Sequence, residues 1–215
     1  MPLTLFGETG LQPPPRAGAY QVLYIDFPWP EQGAGQTKRG ADRHYDLMSV
    51  GEILDLSFTI GRWAAPHAHM YSWATNNYLP AAIEAIRASG FRYVTTVTWV
   101  KDRMGLGQYF RGKTEHCLFA VRGRLPYRVR DDNGKRAQGE TVLYEPLPDV
   151  DEHPEPVDLP SAFEARRGQH SAKPEQMRQY IELVSGPLCR LELFARRPAP
   201  GWDLWGNQAP TTEGA

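Results

Sequence analysis

The sequence predicts an α/β fold, in which helices cover both faces of a β-sheet. Three observations support this fold class. The chain has 215 residues, enough for one domain with a full hydrophobic core. Hydrophobic residues make up 41% of the composition, which is typical of globular domains. Short β-prone runs also alternate with helix-like segments, and such alternation is typical of sheets that helices cover.

The predicted strands are short and rich in aromatic and β-branched residues. They cover residues 20–26, 67–73, 91–100, 115–122 and 188–194. Residues 77–89 carry apolar side chains at helical spacing with a glycine just beyond, which predicts a helix and its C-terminal cap. Residues 174–184 begin with proline, which favours the first turn of a second helix.

We predict one domain over residues 20–208, between an extended arm and a flexible tail. Residues 1–19 are rich in proline and glycine, whereas residues 209–215 are small and polar. Residues 124–168 interrupt the strand and helix alternation with an Asp-Asn-Gly hairpin signal and a long Pro/Asp/Glu segment. We interpret this stretch as an insertion at the sheet's edge or over the active site.

Composition excludes several classes of protein. The formal net charge is −1, so a nucleic-acid partner would have to bind a local basic patch. No apolar run approaches the roughly 18 residues of a membrane span, and the N-terminus lacks the basic region of a signal peptide. We therefore expect no membrane association and a cytoplasmic location.

The histidines show no paired ligand spacing, and the final strand lacks G-x-G-x-x-G, so neither a metal nor a nicotinamide cofactor is predicted.

The first predicted strand ends in Asp26-Phe27-Pro28-Trp29. This motif brings an acid, a rigid turn and a large aromatic ring to one edge of the sheet. In open α/β sheets ligands bind beyond the carboxyl ends of the strands, so these four residues are candidate catalytic groups. The motif also fits an ordinary strand-to-loop turn with a core tryptophan.

The chain resembles the MT-A70 family of amino-methyltransferases, which includes the eukaryotic mRNA adenine methyltransferase and bacterial and phage members. Asp26-Phe27-Pro28-Trp29 is similar to the family's D-P-P-W, with Phe27 in place of the first proline. Other matches follow in family order across residues 20–208. They are Tyr45 and Met48, Trp73-Ala74-Thr75-Asn76, Gly90-Phe91, Trp99-Val100-Lys101, Glu115-His116-Cys117-Leu118, His170-Ser171-Ala172-Lys173-Pro174-Glu175, Leu191-Glu192-Leu193-Phe194-Ala195-Arg196, Trp202 and Gly206-Asn207-Gln208.

The resemblance implies a Rossmann-like methyltransferase fold with a mixed, mostly parallel sheet, in which the catalytic motif precedes the cofactor-binding strand. It implies methylation of the exocyclic amine of adenine in nucleic acid with S-adenosylmethionine, DNA being slightly favoured over RNA. That nitrogen is a weak nucleophile because its lone pair is delocalised into the ring. Asp26 and the main-chain carbonyl of Phe27 would accept its two N–H bonds, and Trp29 would stack on the extruded base. Losing a proline at residue 27 keeps this carbonyl but reduces rigidity.

Lys173 is a candidate ligand of the cofactor. It lies at the start of a predicted helix, where the helix dipole disfavours a cation. A bound carboxylate, such as that of the cofactor's methionine moiety, would account for it, and a solvated lysine is the alternative.

The resemblance adds further candidates for cofactor binding: Asp26, Glu192, Arg196, Asn207 and Gln208. Glu192 lies in an apolar strand, where a lone carboxylate is costly, so we expect an ion pair with Arg190 or Arg196. The amides of Asn207 and Gln208 suit ribose hydroxyls or the cofactor's adenine, or simply a polar turn.

Candidate substrate-binding residues surround a basic segment. They are Tyr45, Trp99, Lys101, Arg111, Lys113, Glu115 and His116. Residues 101–136 hold ten Lys/Arg and four Asp/Glu, whereas residues 140–165 hold eight Asp/Glu and no Lys/Arg. Cations bind phosphates and aromatic rings stack on bases, so we expect residues 101–113 to bind the nucleic acid. The alternative is that the basic residues 101–136 and the acidic residues 140–165 simply neutralise each other. Glu115 and His116 suit structural hydrogen bonds better than catalysis.

A catalytically degenerate family member, acting as a nucleic-acid-binding partner subunit, is the rival function. Such a protein would be expected to lose the acid or the cofactor lysine, yet Asp26, Lys173 and Asn207 are present. The sequence therefore favours an enzyme. It leaves both a homodimer and a heterodimer open.

Overall fold

The computed structural model describes residues 16–30, 47–101, 109–129, 134–138, 141–144, 163–164, 173–207 and 209. Most of the predicted arm, tail and insertion lies outside these residues, as do the candidates Tyr45 and Gln208. No α-helix in the described part of the chain is both long and apolar enough to cross a membrane.

The described residues form eight strands and three α-helices. In chain order they are β1 (Tyr20–Ile25), α1 (Val50–Trp63), β2 (Ala64–Ala74), a 3-10 turn (Asn76–Tyr78), α2 (Leu79–Ala88), β3 (Arg92–Val100), β4 (Thr114–Arg122), β5 (Val142–Tyr144), β6 (Phe163–Glu164), α3 (Glu175–Ser185), β7 (Arg190–Leu193) and β8 (Asp203–Trp205). All five predicted strands and both predicted helices are present. Helix α1 and strands β5, β6 and β8 were not predicted.

The strands form one mixed sheet in the order β6-β5-β3-β4-β2-β1-β7-β8. Among the described strands β4 alone runs against its neighbours, pairing antiparallel with both β2 and β3. The other pairs are parallel, so the predicted mixed, mostly parallel sheet is confirmed. The carboxyl ends of β1, β2, β3, β7 and β8 therefore meet the start of β4 at one edge. We call this the carboxyl edge.

Helices lie on both faces of the sheet, as predicted. The side chains of β1 alternate, so that Leu23 and Ile25 join one core cluster while Val22 and Tyr24 join another. The first cluster contains apolar residues of α1 and α2, and the second contains those of α3. The helices thus change face between β1 and β7, which pair directly. Open α/β sheets bind their ligands in the crevice at such a switch point.

Helix α1 starts with a capping box. The Ser49 hydroxyl accepts the Glu52 N–H, and the Glu52 carboxylate accepts the Ser49 N–H. A cap of this kind stabilises a helix by about 1 kcal/mol. Apolar residues then recur at Ile53, Leu56 and Ile60, all buried against the sheet.

Arg122 fastens two helices at the edge opposite the carboxyl edge. Its guanidinium donates to the Gly61 carbonyl at 2.7 Å, near the end of α1, and to the Ser89 carbonyl just after α2. A Cβ on Gly61 would lie 2.6 Å from the Ser89 oxygen, so glycine permits this close approach. A cation there also complements the negative ends of both helix dipoles.

Candidate active site

Five charged side chains converge at the carboxyl edge. Asp26, directly after β1, places Oδ1 2.8 Å from the Lys173 Nζ and Oδ2 3.7 Å from an Arg196 nitrogen. Lys173 also lies 3.2 Å from a Glu115 carboxylate oxygen, and Glu115 accepts a hydrogen bond from Lys101. We call these five residues the charged cluster. They are far apart in the sequence and meet because β1, β3, β4, β7 and α3 all have an end at this edge.

Lys173 and Glu115, the two central members of the charged cluster, are largely shielded from solvent, each with 12% of its side chain exposed. Burial alone would lower the pKa of Lys173, but the carboxylates of Asp26 and Glu115 raise it above its ordinary value. Burial alone would raise the pKa of Glu115, but Lys173 and Lys101 bring it below its ordinary value. Both groups therefore stay charged at neutral pH, and the solvated-lysine alternative for Lys173 is wrong.

Residues 26–30, which we call the catalytic turn after the role predicted for its motif, directly follow β1 and include Asp26 of the charged cluster. The Trp29 N–H donates to the Phe27 carbonyl at 2.9 Å, and this oxygen keeps a second lone pair for another donor. The Trp29 indole donates to the Trp73 carbonyl at 3.0 Å and stacks on Tyr78. Because Trp29 is only 5% exposed, it has the position expected of a core tryptophan. Stacking of this ring on a target base stays a prediction.

The Phe27 ring packs between Trp29 of the catalytic turn and Phe194 at the end of β7. It lies 5.6 Å from Trp29 and 5.9 Å from Phe194, centroid to centroid. Phe194 has a φ of 62°, which is rare for an aromatic residue. A Cβ on Gly206 would lie 2.8 Å from the Phe194 Cα, so only glycine permits the ends of β7 and β8 to approach this closely. Asn207 follows in an exposed turn at the carboxyl edge.

Glu192 pairs with Arg178 of α3, with 3.1 Å between Oε2 and Nε. The predicted pairing with Arg190 or Arg196 is wrong. Arg190 donates to the carbonyl at the end of α3, and Arg196 approaches Asp26. Burial raises the pKa of Glu192 to about 7, although Arg178 opposes this shift. Contact between Glu192 and a cofactor stays a prediction.

His116 has the structural hydrogen bonds that the sequence favoured for it. Its Nε2 lies 2.6 Å from Asn76 Oδ1, and its Nδ1 lies 3.1 Å from the Thr98 hydroxyl. With an amide oxygen as one partner, Nε2 donates, and in the neutral ring Nδ1 accepts from the Thr98 hydroxyl. Burial lowers the pKa of His116 and so favours this neutral form.

Trp99 lies in the core beside the charged cluster. It is 2% exposed and meets Trp73 edge to face, with centroids 6.2 Å apart. The Lys101 ammonium lies 5.0 Å from its ring centroid, a cation–π distance. Contact between Trp99 and a target base stays a prediction.

The segment after β3 presents aromatic rings and cations to solvent. Tyr109 and Phe110 are 94% and 92% exposed, and Arg111 and Lys113 are exposed beside them. The Lys101 N–H donates to the Lys113 carbonyl at 2.8 Å, which holds this segment next to the charged cluster.

Comparison with known proteins identifies relatives over most of the chain. The model of the MT-A70 family matches residues 20–208. The type II methyltransferase M.MunI of a Mycoplasma species is 26% identical, with 89% of this chain and 78% of M.MunI covered. The human N(6)-adenine-specific methyltransferase METTL4 is 28% identical, over 88% of this chain and 37% of METTL4. The N6-methyladenosine RNA methyltransferase MTA1 of Cryphonectria parasitica is 26% identical, over 89% of this chain and 52% of MTA1.

Proposed function

Because the chain belongs to the MT-A70 family, as its sequence motifs predicted, we propose that it methylates the exocyclic amine of adenine in a nucleic acid. All three relatives are named as methyltransferases, and two of the names specify the N6 position of adenine or adenosine. The observation that carries the proposal is the position of Asp26, an ion-paired carboxylate at the β1–β7 switch point.

Asp26 serves as a fixed hydrogen-bond acceptor. Lys173 and Arg196 approach different oxygens of its carboxylate and restrict its orientation. The neighbouring Phe27 carbonyl has a lone pair free of the Trp29 N–H bond. Two acceptors on one turn match the two N–H bonds of the adenine amine. Accepting both favours a tetrahedral nitrogen, whose lone pair is then available for attack, and preorganised acceptors need no rearrangement during the reaction.

The charged cluster fits the carboxylate of S-adenosylmethionine. Its three cations and two carboxylates leave one positive charge in excess at a largely buried site, and such a charge favours an anionic ligand. Lys173 and Arg196 would hold the carboxylate of the methionine moiety, and the exposed Asn207 at the same edge would bond a ribose hydroxyl or the adenine. When bound, this cofactor supplies an electrophilic methyl group on a sulfonium. The ion-paired Asp26 and Lys173 favour catalysis over a role as a non-catalytic nucleic-acid-binding subunit.

The direct test is transfer of a labelled methyl group. The protein is incubated with methyl-labelled S-adenosylmethionine and matched DNA and RNA oligonucleotide pools, and the labelled nucleoside is identified by mass spectrometry. We expect N(6)-methyladenine, with DNA slightly favoured. Label in cytosine, or none in any base while cofactor binding is intact, would contradict the proposed function.

The exposed segment 109–113 is the proposed contact for the nucleic-acid strand. Replacing Arg111 and Lys113 together with alanine should weaken nucleic-acid binding and flatten its salt dependence. Each lost phosphate contact reduces the slope of log K against log salt by about one unit, because fewer counterions are released. Cofactor affinity should hardly change. Binding is measured by fluorescence anisotropy across a salt series.

A matched control replaces Arg87 and Arg92 with alanine. Both are exposed arginines, and Arg92 begins β3 at the edge opposite the proposed contact. This control should keep the wild-type salt slope. An unaltered slope in the Arg111 and Lys113 variant would place the nucleic-acid surface elsewhere.

A further inference from the structure

Tyr78 holds the catalytic turn through two separate contacts. Its ring lies parallel to Trp29, with centroids 5.3 Å apart and an interplanar angle of 12°. Its hydroxyl donates to the Pro30 carbonyl at 2.8 Å. One side chain thus binds the turn at two of its five residues, once through stacking and once through a hydrogen bond.

Residues 73–78, from the end of β2 through the 3-10 turn, contact the catalytic turn at two points. The Trp73 carbonyl, near the end of β2, accepts the Trp29 indole N–H. Tyr78, at the end of the 3-10 turn, covers the face of the same indole. Trp29 is therefore fixed both at its nitrogen and over its ring. Displacing it would break a buried hydrogen bond and an aromatic stack together.

The start of the catalytic turn needs such support because Phe27 replaces the first of the motif's two prolines, although Pro28 and Pro30 are present. Phe27 occupies the position where the family's motif has its first proline, so φ at this residue is not locked by a ring. The carbonyl that would accept an amine N–H belongs to this same residue. Its direction therefore depends on side-chain packing along the turn.

We infer that Tyr78 is a positioning residue. By fixing Trp29 and Pro30 it holds the Phe27 carbonyl, which accepts the Trp29 N–H, in its orientation next to Asp26. This inference rests on the proposed function for its effect on turnover. Its effect on the mobility of the turn can be measured whether or not methyl transfer occurs.

Two substitutions separate the two contacts. Tyr78→Phe removes only the hydroxyl, and Tyr78→Leu removes the stacking ring as well. One hydrogen bond corresponds to about 3- to 10-fold in rate, and the bond plus the stack to about 10- to 100-fold. We expect kcat to fall by these factors. The dissociation constant of S-adenosylmethionine should stay within about 2-fold, because the stacking and the hydrogen bond of Tyr78 are made to Trp29 and Pro30 and not to the charged cluster.

The matched control is Tyr93→Phe. The Tyr93 hydroxyl makes a bond of similar length, 2.8 Å to Thr96, and is also partly buried, but it lies in β3 away from the catalytic turn. This variant should keep the wild-type kcat. It shows how much the loss of one partly buried tyrosine hydroxyl changes the protein in general.

Hydrogen–deuterium exchange provides a readout that is independent of activity. The Trp29 N–H bonds to Phe27 and the Met48 N–H bonds to Pro28, so both amides report on the catalytic turn. Peptides containing them should exchange faster in Tyr78→Phe and faster still in Tyr78→Leu, but not in Tyr93→Phe. Other peptides should exchange as in the wild type.

The outcomes distinguish this inference from the proposed function. The Tyr78 variants could exchange faster only in the catalytic turn while the wild-type protein methylates no adenine. That result would support the positioning role and overturn the proposed function. An active wild type whose Tyr78 variants keep both kcat and exchange rates would overturn the positioning role alone. A kcat that falls only in proportion to a general loss of folded protein would overturn it too.

Discussion

Replacing Asp26 with alanine is expected to nearly abolish methyl transfer and to leave cofactor affinity within a few-fold of the wild type. The carboxylate lies at the end of β1, where it would accept an N–H bond of the target amine. Removing one preorganised group that stabilises a transition state lowers kcat by about 10²- to 10³-fold. The loss should appear in kcat because the interaction strengthens as the nitrogen becomes tetrahedral.

Single-turnover transfer and calorimetric titration with S-adenosylmethionine separate these two effects. Asp26→Asn is the companion variant, because it keeps the shape of the side chain and one acceptor oxygen but removes the charge that Lys173 and Arg196 pair with. We expect it to retain more activity than alanine. Thermal unfolding of both variants checks that the fold is intact. Turnover close to the wild-type rate in Asp26→Ala would contradict the catalytic assignment.

Lys173→Ala should weaken S-adenosylmethionine binding by roughly 10- to 100-fold. A hydrogen bond to a charged group contributes about 1.5–3 kcal/mol, and Lys173 is the cation that links Asp26 with Glu115 in the charged cluster. Its removal also leaves the buried Glu115 with Lys101 as its remaining partner within the charged cluster. Transfer should therefore fall even at saturating cofactor, since Asp26 loses its closest cationic contact.

Lys113→Ala is a crossed control for this variant. Lys113 is exposed in the proposed nucleic-acid segment, so its loss should reduce nucleic-acid affinity and spare the cofactor. Lys173→Ala should do the reverse. Equal cofactor affinity for Lys173→Ala and wild type, measured by calorimetry, would show that Lys173 only supports the structure.

Local patterns in the sequence predicted most of the sheet but missed one helix. The strand predicted at residues 20–26 is a continuous β-prone run, and no helical pattern overlaps it. Helix α1 carries glycines at Gly51 and Gly61, which lower helix propensity. Its capping box and buried face nevertheless overcome that cost. The S-x-x-E signal at Ser49, followed by apolar residues at helical spacing, would have identified this helix.

Motif matches identified the charged cluster but not its connections. Asp26, Lys101, Glu115, Lys173 and Arg196 were all candidates, and all five come together. Their pairings could not be predicted, because they depend on strand order and on the face of each helix. The Glu192 ion pair shows this, because its partner Arg178 comes from α3, which packs against the sheet, rather than from its own strand.

Residues that support the site were missed because their local sequence gives no chemical signal. Tyr78 stands in an unremarkable Asn-Asn-Tyr segment, and Asn76 beside it was noted only as part of a motif. Their importance comes from the partners that the fold brings to them, Trp29 for Tyr78 and His116 for Asn76.

The position of Arg122 bears on how this protein could be engineered. Its bonds to the ends of α1 and α2 lie at the edge of the sheet opposite Asp26, with the length of β2 and β4 between them. Thermostability can therefore be selected around Arg122 without altering the groups that perform chemistry, so the usual trade-off between stability and activity is relaxed there. A library of variants restricted to the surroundings of Arg122 is therefore expected to yield a more thermostable enzyme with unchanged turnover.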